Sequence, residues 1–76
     1  MNSTKKKERF VRLAEKRVNN AVKALSLIAN LSNTSNYEFN SKQIKSMMNV
    51  LDREFKDLKT VFNRKLNKKK TFKLDE

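Results

Sequence analysis

Lys5, Lys6, Lys7, Arg9, Arg12, Lys16 and Arg17 crowd one end of the sequence, and Lys59, Arg64, Lys65, Lys68, Lys69, Lys70 and Lys73 crowd the other. Together they are 14 of the 19 Lys and Arg residues in a chain of 76. The chemistry they offer is the holding of anions, because a fixed array of cations neutralises several phosphates at once. Lys supplies 14 of the 19 cations. An ammonium meets phosphate as a point charge, whereas Arg and Asn are the common readers of base edges. Backbone binding is therefore expected over sequence reading, with Arg12, Arg17 and Asn19 as the candidate base readers should helix 1 enter a groove. The nucleic-acid contacts expected are Lys5, Lys6, Lys7, Arg9, Arg12, Lys16, Arg64, Lys65, Lys68, Lys69, Lys70 and Lys73.

Other chemistries have little to draw on. The chain has no His, Cys or Gly, so the usual nucleophile–base pairs and the Gly-rich phosphate loop are missing. Without Cys or His, zinc and iron–sulfur sites are not expected, and neither is any cofactor. The carboxylates Asp52, Glu54 and Asp57 fall among basic neighbours and read as solvated ion-pair partners. A binding protein is expected, not an enzyme.

The formal net charge is +11, well beyond what solubility asks of a small domain. The anionic partner that would balance it is nucleic acid, an acidic protein or an anionic membrane surface. Membrane is the least expected of these. No apolar run approaches the roughly 20 residues of a span, and Phe72 in the basic tail more readily packs on its own chain than inserts. A chain without Cys suits a reducing compartment, and the cytoplasm is the expected location.

The elements that must position these cations follow from what the sequence lacks and repeats. With no Gly and no Pro, the turns of all-β domains and the loops of parallel α/β folds have no natural residues. An all-α fold is expected. From about Lys5, the residues Val11, Ala14, Val18, Ala21, Leu25 and Ile28 recur at alternating spacings of three and four, a seam for one helical partner. Phe10, Leu13, Ala24, Leu27 and Leu31 form a second, adjacent seam. Ser3 or Thr4 is the expected cap. Over Ala21 to Leu31, eight of eleven positions are apolar, and one neighbouring helix covers only one stripe.

The run Ser32 to Asn36, SNTSN, competes with the helix for backbone hydrogen bonds and predicts a loop of about eight residues. Asn40 then reads as an N-cap, with Gln43 completing a capping box and Phe39 and Ile44 placed as a hydrophobic staple. Ile44, Met48, Leu51, Phe55, Leu58 and Phe62 make the seam of a second helix, flanked by Met47, Val50 and Val61. Asn67 is the expected stop. The predicted architecture is an antiparallel hairpin of helices over about 5–31 and 41–67, a single domain with tails at 1–4 and 68–76.

A hairpin brings the two basic clusters to one pole. A core from so short a chain is marginal alone, and with disulfides and metals set aside, pairing with a second copy into a four-helix bundle is expected. The predicted oligomer interface is Ala24, Leu27, Ile28 and Leu31.

The stretches Glu15-Lys16-Arg17-Val18-Asn19, Leu31-Ser32-Asn33 and Ser35-Asn36-Tyr37 resemble small helical-hairpin proteins of bacteria and their mobile elements. The resemblance covers most of the hairpin, from Arg9 to Phe62. It implies that the loop is a fixed feature, and it brings no activity with it. The functional expectation is thus a small basic accessory or regulatory protein that grips the phosphate backbone. The alternative is an interaction module that docks a protein on the apolar seam of helix 1.

Overall fold

The computed structural model describes residues 2–67. The described residues form an α-helix α1 (Asn2–Ala29), a short 3-10 turn (Asn30–Ser32) and a second α-helix α2 (Ser41–Leu66), with no strand among them. The chain divides into two units, Met1–Glu38 and Phe39–Glu76, each built on one helix.

The first unit departs from expectation at both ends of its helix. α1 begins at Asn2, so Ser3 and Thr4 lie inside it and neither is its N-cap. Ser and Thr are mild helix formers, and the Lys-rich run that follows them favours helix enough to carry them along. At the other end α1 stops at Ala29, not Leu31, and tightens into the 3-10 turn. There the Asn33 N–H donates to the Asn30 carbonyl at 3.3 Å. The cause is local. Asn33 Oδ1 accepts the Ser35 N–H at 2.9 Å, and the Asn33 carbonyl accepts from the N–H groups of Asn36 at 3.1 Å and Tyr37 at 3.0 Å. One Asn thus gathers the donors of the next turn around itself, and the ladder cannot extend through it.

The second unit opens as the sequence predicts. Asn40 caps α2 in an extended conformation (φ −122°, ψ 168°), and both bonds of the capping box with Gln43 are present. Asn67 ends the helix, its N–H donating to the Asn63 carbonyl at 2.9 Å. Arg64 and Lys65 occupy the last turn, where positive charge meets the negative end of the helix dipole.

At 28 and 26 residues, the helices run about 42 and 39 Å at 1.5 Å per residue. None of residues 4–67 is buried. The positions that come nearest are Leu13, Ala14 and Ile28 on α1 and Ile44, Met47 and Leu51 on α2, all on the apolar lines expected from the sequence. The remaining apolar residues stay open. Phe10 keeps 59 %, Leu27 60 % and Phe55 58 % of their surface exposed. A fully buried Leu or Phe is worth about 1.5–3 kcal/mol, and an isolated helix is marginal in water. Most of the stabilisation these stripes can give is left for a partner surface.

Candidate nucleic-acid interface

The α-helical spacing sorts the cations of α1 into lines. Lys5, Arg9, Arg12 and Lys16 recur at intervals of four, three and four, which places them along one face, with Lys23 two turns further on. Their Cα positions step by about 4.5–6 Å along the axis. All five are exposed. Lys6 and Arg17 fall on the line of the second apolar seam and Lys7 on that of the first, so these three are set apart from the main row. Glu8 and Glu15 border the row as its acidic neighbours on α1. A shallow open groove among Lys7, Glu8, Val11, Arg12 and Glu15 lies between side chains of this one helix and encloses nothing.

On α2, Lys59, Arg64 and Lys65 are exposed. Arg64 and Lys65 stand in the last turn, where any anion they hold also approaches carbonyl groups with no intrahelical partner. Lys59 is drawn elsewhere. Its Nζ sits over the Phe55 ring, 4.8 Å from the centroid, an attraction between ammonium and ring quadrupole. This contact was legible in the sequence as an aromatic four residues before a Lys. Thr60 Oγ1 donates to the Lys56 carbonyl at 3.0 Å, closing its hydroxyl within the helix. Of the expected contact residues, Lys68, Lys69, Lys70 and Lys73 lie outside the described residues, as does the tail at 68–76 that carries Phe72.

The expected oligomer residues divide in the same way. Ala24, Leu27 and Ile28 lie on α1, whereas Leu31 belongs to the 3-10 turn. Asp52, Glu54 and Asp57 are exposed on α2, and the four-residue interval from Asp52 to Lys56 suits an intrahelical ion pair. Among the described residues no group of three His, Cys, Asp or Glu side chains is placed to hold a metal ion, and no helix is long and apolar enough to cross a membrane.

No protein-family model matches the chain, and no curated protein or solved structure matches it either.

Proposed function

We propose that the protein is a small nucleic-acid-binding accessory or regulatory factor that contacts the phosphate backbone through its Lys and Arg side chains. The observation that carries this reading is the exposed row Lys5, Arg9, Arg12 and Lys16 on one face of α1, in a chain of net charge +11. Four cations at regular intervals on a rigid helix follow a polyanion at little entropic cost, since the helix fixes their backbones in advance. The two helices fold back as an antiparallel hairpin. This sets the basic start of α1 beside the basic end of α2 and joins the two clusters as one pole. Two hairpins close over the exposed apolar stripes as a four-helix bundle. The high share of Lys favours binding that is indifferent to sequence. Retention on DNA or RNA at 50 mM salt, lost steeply as salt rises, tests the reading. A protein that ignores both at that salt defeats it.

A second reading has its own support. Leu27 and Phe10 are among the most exposed apolar residues of α1, on a stripe that the helical spacing sets beside the basic row. An acidic protein could use the apolar stripe for affinity and the charge for steering. Co-purification of one stoichiometric acidic protein, with no nucleic acid retained, supports this reading over the first.

A further inference from the structure

Each helix carries a second stripe beside its main seam, and the two stripes share one pattern. On α1 it runs Phe10, Leu13, Arg17, Asn20, Ala24, Leu27. On α2 it runs Met47, Val50, Glu54, Asp57, Val61, Arg64. Both step three, four, three, four, three. On α1 apolar residues flank a polar centre on both sides; on α2 Met47, Val50 and Val61 do so and the stripe ends on Arg64. The centres are of opposite character: Arg17 with Asn20 on α1, Glu54 with Asp57 on α2. All four central residues are exposed.

We infer that the second stripe of α1 docks antiparallel on the second stripe of α2 from another copy of the chain, with Arg17 against the partner's Asp57 and Asn20 against the partner's Glu54 fixing the register. The inference rests on the paired-hairpin reading above and supplies its orientation. With Arg17 opposite Asp57, the rest of the two stripes falls into step. Leu13 meets Val61 and Ala24 meets Val50. One turn further out Leu27 meets Met47, and Phe10 lies level with Arg64, a cation for its ring. Every apolar residue of the stripe thereby finds an apolar or cation–π counterpart.

Charge selects this arrangement over its rivals. Laying α1 on α1 of the second copy sets the two Arg17 guanidinium groups near each other with no carboxylate between. Laying α2 on α2 gathers two Glu54 and two Asp57 carboxylates at one level. Like charges facing across an interface penalise the wrong pairing, and opposite charges set the register of the right one. The wider charge balance agrees. The unit Met1–Glu38 carries 8 basic and 3 acidic residues and the unit Phe39–Glu76 carries 11 and 5, so neither half attracts the other through net charge. Discrimination falls to these few central positions.

The test uses charge reversal in the full-length chain, read by sedimentation with circular dichroism alongside. Arg17→Glu alone should weaken self-association at least tenfold, because it sets a third carboxylate against Glu54 and Asp57. Glu54→Arg with Asp57→Arg should weaken it similarly. An equimolar mixture of the two variant proteins should restore the dimer as a heterodimer, since each then offers what the other lacks. The triple variant carrying all three changes should associate with itself and not with the wild type. It keeps the test decisive if either partial variant loses its helix. A mixture and a triple variant that both stay monomeric, beside a wild type that dimerises, overturn the register and leave the dimer standing. An Arg17→Glu variant that dimerises as tightly as the wild type overturns the register, because residue 17 then faces no carboxylate of the partner. A folded wild type that is monomeric at micromolar concentration overturns the dimer reading, and the register with it.

Discussion

Asn40 and Gln43 hold each other across the first turn of α2. The Gln43 N–H donates to Asn40 Oδ1 at 2.8 Å, and the Asn40 N–H donates to Gln43 Oε1 at 3.0 Å. Each side chain satisfies a backbone donor that the helix itself cannot. Asn40→Ala should therefore cost roughly 1 kcal/mol. In a chain of this size that lowers the melting temperature by about 4–8 °C. Gln43→Ala should act in the same direction and less, since it frees only the Asn40 N–H. Thermal melts of both variants check this. An unchanged melt for Asn40→Ala shows that the start of α2 contributes nothing to stability.

Why this boundary could be read in advance while the start of α1 could not is a matter of where the information lies. A capping box is written entirely in side chains three residues apart, so Asn40 and Gln43 carried it whole. Asn67 at the other end of α2 was legible by residue type alone, since the bond it makes there is a backbone one, from its N–H to the Asn63 carbonyl. The start of α1 depends on how far a helix frays past its last strong helix former, which Ser3 and Thr4 do not decide by type. The end of α1 depends on Asn33 drawing in the N–H groups of Ser35, Asn36 and Tyr37. The SNTSN run marks that region as a breaker but does not say which of its residues takes the central place. For the interface the same division holds. Spacing alone puts Lys5, Arg9, Arg12 and Lys16 on one face, because helical periodicity is local. The partner surface of the apolar stripes is not local, and it enters only as a proposal from pattern and charge.

The two apolar lines of α1 should respond differently to a buried charge. Leu25 belongs to the main seam and Leu27 to the second, and both are about half exposed in the single chain. In the proposed hairpin Leu25 faces the chain's own second helix, so Leu25→Lys should abolish folding there by placing an ammonium in that seam. Leu27→Lys should leave helix content largely intact and dissociate the proposed dimer. Circular dichroism and sedimentation on the two variants separate these outcomes. The opposite phenotypes would mean that the seams exchange roles.

The row on α1 should matter for binding beyond its share of the charge. Replacing Arg9, Arg12 and Lys16 with Gln removes three cations from one face. Replacing Lys42, Lys45 and Lys56 removes the same number from α2. Gln is nearly as good a helix former as Lys or Arg, so helix content should hold in both. If the row grips phosphates, the first variant should lose much more affinity for DNA and RNA than the second, measured at one fixed salt concentration. Equal losses would show that only total charge counts and that the face has no special place.

The salt dependence of binding gives the number of phosphates engaged. If about six are neutralised, affinity should fall roughly a thousandfold between 50 and 200 mM salt, since the logarithmic slope is about 0.9 per phosphate on duplex DNA. Lys68, Lys69 and Lys70 lie outside the described residues, yet their charges belong to the proposed pole. Changing all three to Gln should lower the slope by up to about 2.7 if each meets a phosphate. The loss should be alike on every sequence tried, because point charges on the backbone carry no base information. Fluorescence anisotropy across a salt series, with AT-rich and GC-rich duplexes in parallel, measures both quantities. A slope that stays at the wild-type value would remove these three lysines from the interface and leave the grip to the helices. A loss confined to one sequence would replace backbone binding with base readout.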